Sequence, residues 1–151
     1  MKETYFDSVV MIERLHRLFL EVVKVELDRM NIRDINNVQA LVLYNIGQDQ
    51  VTVGELTNRG YYLGSNVSYN LRKMVQNNYI LQEPSPHDRR SSHVKLSPKG
   101  LDLFQRLDKV MSSHAMHLEK EAGEKNMVAH LGQILKKLEI FWGNLLVRDI
   151  R

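Results

Sequence analysis

Apolar residues recur early in the chain at Met11, Leu15, Leu18, Val22 and Val25, in steps of four and three. That spacing lays them along one stripe of a long helix from about Thr4 to Met30, and Phe19 and Val23 widen the stripe. Asn31 suits its end. A second helix is expected from about Asp34, carrying Val38, Leu41, Val42 and Tyr44 or Ile46, with Gly47 as its stop. "VTVGELTNRG" reads as a brief extended piece, then a short helix through Leu56 to Gly60. A third short helix is expected from Gly64 to Asn77. Its inward side is Val67, Leu71, Met74 and Val75, and Asn78 takes the left-handed turn that ends it.

The period then changes. "YILQE" and "SHVKL" alternate as strands do, and Pro84 and Pro86 close the first of them. "SPKG" restarts a helix, with Ser97 as N-cap and Pro98 at the first helical position. The last third reads as two helices. One carries Leu101, Phe104, Leu107, Met111, Ala115 and Leu118, and a break falls near Gly123. The other carries Met127, Leu131, Ile134, Leu138, Phe141 and Leu145, flanked by Leu135 and Trp142. The fold class that follows is mainly α with a small β-hairpin.

Composition narrows this picture. The chain has 151 residues, 43% hydrophobic and 26% charged, which suits a globular protein with its own core. No apolar run is long enough to span a bilayer, and the N-terminus carries acids and an arginine, unlike a secretory signal. The absence of cysteine removes disulfides, thiolate zinc sites and thiol chemistry, and it fits a cytoplasmic protein. No phosphate loop, paired carboxylates or Ser/His/Asp frame is present, so an enzyme is not expected.

The net charge of +3 is informative only through its distribution. No Asp or Glu occurs from Leu56 to Gln82. The outward positions of the third short helix are Ser65, Asn66, Ser68, Tyr69, Asn70, Arg72 and Lys73, all small, hydrogen-bonding or basic. A helix of that kind fits the major groove of duplex DNA, whose phosphates reject acids. The hairpin tip "PSPHDRRSS" adds a second element. Arg90 can enter the narrow, negative minor groove, oriented by Asp88 two positions earlier, while Arg89 meets phosphate.

These residues carry a resemblance. "VTVGELTNRG", "SNVSYNLRKMVQNNYI" and "HDRRSSHVKLSPKG", within about Asn36 to Gly100, resemble the winged helix of the MarR family of bacterial transcription regulators. The family's acid–x–arginine wing and the motif that follows read here as Asp88, Arg90, Val94, Leu96, Ser97, Lys99 and Gly100. The resemblance implies a winged helix-turn-helix over residues 34–97, flanked by N- and C-terminal dimerisation helices over 1–33 and 98–151. It implies a homodimer on double-stranded DNA, with two reading helices about 34 Å apart on an inverted repeat. Its reading positions fall on Ser65, Asn66, Ser68, Tyr69 and Lys73. The turn before the reading helix departs from the family, with Gly60, Tyr61, Tyr62 and Leu63 in it. "RGYYLGSNVSYNL" resembles a branch linked to control of L,D-transpeptidase cell-wall remodelling genes.

The resemblance also implies a ligand-responsive repressor. A small aromatic or anionic effector would lie in a crevice lined by Phe19, Val23, Val38, Gln39, Leu43 and Tyr62, although apolar helical stripes are ordinarily core. His114 and His117 share a helix face, with Glu121 one turn on, which raises a zinc-responsive alternative that needs a fuller ligand set. No cofactor is expected. The other alternative is a helical protein-interaction module.

Overall fold

The computed structural model describes residues 1–60, 64–84 and 92–147, with the side chains of Gly60, Gly64 and Ser65 left aside. The elements run α1 (Lys2–Arg29), α2 (Asn37–Ile46), β1 (Val51–Thr52), α3 (Val53–Gly60), α4 (Gly64–Gln76), β2 (Ile80–Pro84), β3 (Ser92–Leu96), α5 (Pro98–Glu121) and α6 (Met127–Val147). Among these residues no helix is long and apolar enough to cross a membrane.

Helix ends follow from local chemistry. α1 and α4 close alike, with Asn31 and Asn78 in the left-handed region at φ 58° and 66°. After each asparagine the next amide reaches back to the last turn: Ile32 N donates to the Leu27 carbonyl and Tyr79 N to that of Met74. Both are Schellman closures, and each sets an apolar residue beyond the helix against one inside it. Ser97 caps α5, its Oγ accepting from Gly100 N at 3.1 Å. The second helix starts later than the sequence pattern suggests. Asn36, not Asp34, is its cap: Asn36 Oδ1 accepts from Gln39 N at 2.8 Å, and Gln39 Oε1 accepts from Asn36 N at 3.1 Å. This reciprocal box satisfies two free amides at once, which Asp34 cannot do from its position. Thr52 and Glu55 form the same box at the start of α3.

The chain divides into two compact units, residues 1–108 and 109–151. The first holds the core: Val23, Leu27, Ile35, Val42, Leu43, Ile46, Val51, Leu56, Val67, Leu71, Met74, Ile80, Val94, Leu103 and Leu107 are all closed to solvent. A three-stranded antiparallel sheet in the order β1-β3-β2 forms its edge. The "brief extended piece" is therefore a short third strand, Val51 facing Val94. In the hairpin Ile80 faces Leu96 and Pro84 faces Ser92. Val75 lies on the exposed side of α4, not inward.

The second unit comprises the later half of α5 and all of α6. Gly123 and Asn126 take positive φ between the helices, and Glu119 caps α6 by accepting from Val128 N at 2.9 Å. No residue of α6 is buried. Leu131, Ile134, Leu135 and Phe141 are all exposed.

Candidate nucleic-acid interface

α3 and α4 are a helix-turn-helix pair, and β2 and β3 rise beside them as a hairpin. α4 packs Val67, Leu71 and Met74 inward and turns Asn66, Ser68, Tyr69, Arg72 and Lys73 to solvent. Thirteen residues give a rod about 20 Å long, enough to lie across a major groove. Among the described residues neither Arg72 nor Lys73 meets a carboxylate, so both remain available to phosphates. Lys73 Nζ stands 6.0 Å over the Tyr69 ring on the same exposed face of α4. Ser65 sits in the first turn of the same helix.

Asn70 is a correction. It is not on the groove face but buried, its Oδ1 accepting from Gln39 Nε2 at 3.4 Å. The spacing from Val67 through Asn70 and Leu71 to Met74 was the signal, since it puts Asn70 on the inward stripe. A buried polar pair of this kind fixes how α4 is rolled against α2.

The hairpin is described up to Pro84 and again from Ser92, with Gln82 Nε2 donating to Ser92 Oγ across it at 2.9 Å. Asp88, Arg89 and Arg90 lie outside the described residues, as do Tyr61 and Tyr62. A cleft of 310 Å³ separates the hairpin from α4, lined by Val53, Ser68, Leu71, Arg72 and Gln82 among others. Gln82 was missed in the sequence, where it reads only as a polar strand position.

Below the hairpin, three segments meet on Asp34. Tyr79 Oη donates to Asp34 Oδ1 at 2.5 Å, and Lys99 Nζ to Oδ2 at 2.7 Å. Lys99 also donates to the Asn77 carbonyl and lies 4.3 Å over the Tyr79 ring. Burial pushes the Asp34 carboxyl up, but hydrogen bonds from Lys99 and Tyr79 outweigh it and hold the group below its ordinary range. Burial, then the bond to Asp34, pushes the Tyr79 phenol up. Gly100 is forced by the same corner, because a Cβ there would stand 2.1 Å from the Tyr79 carbonyl oxygen.

The effector-lining set is dispersed. Val23 and Leu43 are closed into the core, Gln39 is engaged with Asn36 and Asn70, Val38 is half-buried, and Phe19 is exposed on α1. The concave surface nearby is instead a cleft of 430 Å³ lined by Lys24, Leu27, Asp28, Ile32, Arg33, Ile35, Asn36 and Asn37. The zinc set does not assemble: among the described residues no three His, Asp or Glu side chains gather to hold a metal ion. His117 Nδ1 lies 2.8 Å from the Ser113 carbonyl one helical turn back, a local contact.

Residues 35–100 match the family model of a winged helix DNA-binding domain. The exopolysaccharide II synthesis transcriptional activator ExpG of Rhizobium meliloti (strain 1021) is 36% identical over 141 residues, covering 93% of this chain and 73% of that protein. Among solved structures, FabT of Streptococcus pneumoniae in complex with DNA has a TM-score of 0.72 at 22% identity, covering 93% of this chain and 99% of that one. AbsC, a MarR family transcriptional regulator from Streptomyces coelicolor, has a TM-score of 0.70 at 17% identity, covering 93% and 95%. At these identities the structural likenesses establish the fold.

Proposed function

The chain belongs to the MarR family of winged helix DNA-binding transcriptional regulators, and on that footing we propose that it acts as a homodimer on an inverted-repeat operator. The observation that carries this reading is the acid-free outward face of α4, with Ser68, Tyr69, Arg72 and Lys73 exposed together beside a hairpin. Each α4 enters a major groove. Ser65, Asn66, Ser68 and Tyr69 read base edges, Arg72, Lys73 and Arg89 hold phosphates, and Arg90 enters the minor groove with Asp88 orienting it. The terminal segments, residues 1–33 and 98–151, join the two copies and set the spacing of the reading helices. The exposed apolar stripe of α6 supports this, because a stripe so regular is ordinarily covered.

A small aromatic or anionic effector would shift the dimer between spacings, by as much as its affinities for the two states differ. The 430 Å³ cleft, lined by Lys24 and Arg33 against one acid, Asp28, suits an anion. The proposed output is repression by occupying the operator. A second reading, activation, is favoured by the description of the Rhizobium relative as an activator. Two leads on the regulated genes concern the cell surface: that relative's exopolysaccharide role, and the segment "RGYYLGSNVSYNL" with its likeness to the L,D-transpeptidase branch.

Selection of bound fragments from the host genome, followed by anisotropy titration on the best of them, tests the reading. The affinity should fall linearly with log salt, with a slope set by the phosphates neutralised. Arg90→Ala should weaken binding at least tenfold while the protein stays folded. A flat salt response would favour the protein-interaction alternative, and unchanged affinity of the Arg90 variant would overturn the wing assignment.

A further inference from the structure

Asp34 lies in the connection between α1 and α2, outside every DNA-facing element. We propose that it is a positioning residue for DNA reading: it holds the root of the wing in place through Tyr79 and Lys99. The inference rests on the reading of the hairpin as a DNA-contacting wing.

The two strands of the hairpin are rooted at one point. β2 leaves the end of α4 through Tyr79, and β3 enters α5 through Ser97. Ser97 N donates to the Tyr79 carbonyl at 3.0 Å, and its Oγ donates to the Asn78 carbonyl at 2.6 Å while standing 3.0 Å from that of Tyr79, so the two roots are tied to each other. That corner is linked to the α1–α2 connection by the Asp34 carboxylate, which takes the Tyr79 hydroxyl on one oxygen and the Lys99 amine on the other. The Asp34 carbonyl takes a third bond, from Asn77 Nδ2 at 2.7 Å, at the end of the reading helix. One residue later than its cap, α2 is fixed to α1 by Asn37 Nδ2 donating to the Leu20 carbonyl at 3.0 Å. The α1–α2 connection is thus fixed to the middle of α1 through Asn37, and through Asp34 to the end of α4 and both feet of the wing.

Leverage makes the position matter more than its strength does. The Asp34 and Lys99 side chains are about half exposed, so the ion pair contributes little to folding. A five-residue strand, however, is about 17 Å long. Turning it by ten degrees at its root moves its far end by about 3 Å, more than a hydrogen bond tolerates. Tyr79 and Lys99 stay attached through their backbones when Asp34 is lost, so the fold persists while the angle is no longer set.

The test uses the full chain with Asp34→Ala, and Asp34→Asn, which keeps an acceptor for Tyr79 but no charge for Lys99, should the first fail to fold. Expected are a thermal midpoint close to that of the native protein and operator binding about tenfold weaker. Hydroxyl-radical footprints should lose the minor-groove protection under the wing and keep the major-groove protection under α4. Placed in Arg90→Ala, the same change should cost less than twofold, because the wing contact is already gone. Equal loss of protection in both grooves, full additivity with Arg90→Ala, or unaltered affinity and footprint would each overturn the proposal. If the native protein itself gives no minor-groove protection, the wing reading fails first, and Asp34 has nothing to position.

Discussion

Leu43, Leu56, Leu71 and Met74 are closed to solvent within residues 1–108, whereas Ile134, Leu135 and Phe141 of α6 stand about half exposed. Yet Met127, Leu131, Ile134, Leu138, Phe141 and Leu145 recur along α6 in unbroken steps of four and three. Periodicity marks a helix and its apolar face, but it does not say what covers that face. In the first unit the cover is the chain's own sheet and helices. Among the described residues none of α6 is buried, and the proposed cover is a second copy.

Two glycines bring the contrast to a point. Gly100 is hemmed by the Tyr79 carbonyl, and Gly132 on α6 has open space around it. Gly100→Ala should destabilise the first unit by about 4 kcal/mol or more, since backbone and not a movable side chain is in the way, and urea unfolding would measure it. A loss within about 1 kcal/mol would mean that the corner opens easily.

Next in size, Ile134→Asp with Phe141→Asp should weaken self-association at least a hundredfold, about 2.8 kcal/mol. Sedimentation would show monomers at micromolar concentration with the helical content of the first unit retained. If the variant sediments as the native protein does, α6 is not where copies meet. Ser68→Ala and Tyr69→Ala should each cost about 1–3 kcal/mol at particular operator base pairs, read from a panel of single-substitution operators. A loss spread evenly over all sequences would make them phosphate contacts. Smallest, Gly132→Ala should stabilise by up to about 1 kcal/mol, because it removes a helix-interior glycine from a side of α6 away from its apolar stripe. Destabilisation there would mean that the covered face is broader than the stripe.

Much of the fold was legible because its signals are local. Asn31, Asn78, Gly47 and Ser97 end or begin helices by conformational and hydrogen-bonding rules that reach no further than a turn. The start of α2 was placed near Asp34 although Asn36 and Gln39 stand at capping-box spacing, because the apolar period that located the helix does not mark its cap. Asn70 was set on the wrong face because its polarity was weighed above its position three residues after Val67. The part played by Asp34 could not be read at all: Tyr79 and Lys99 are 45 and 65 positions away, and only the closed fold brings them to it. The winged helix was legible in outline from its motif, and the family assignment rests on that stretch together with the relative that is 36% identical over 141 residues.

The stretch from Leu56 to Gln82, without one carboxylate, bears on more than operator recognition. If this face meets DNA as proposed, Arg59, Arg72 and Lys73 would draw any duplex, whatever its sequence, since phosphate attraction is blind to bases. On the proposed reading, the regulator would travel between operators along the chromosome in loose contact and seldom drift free. On the same grounds, the purified protein is expected to carry host nucleic acid until the salt is raised.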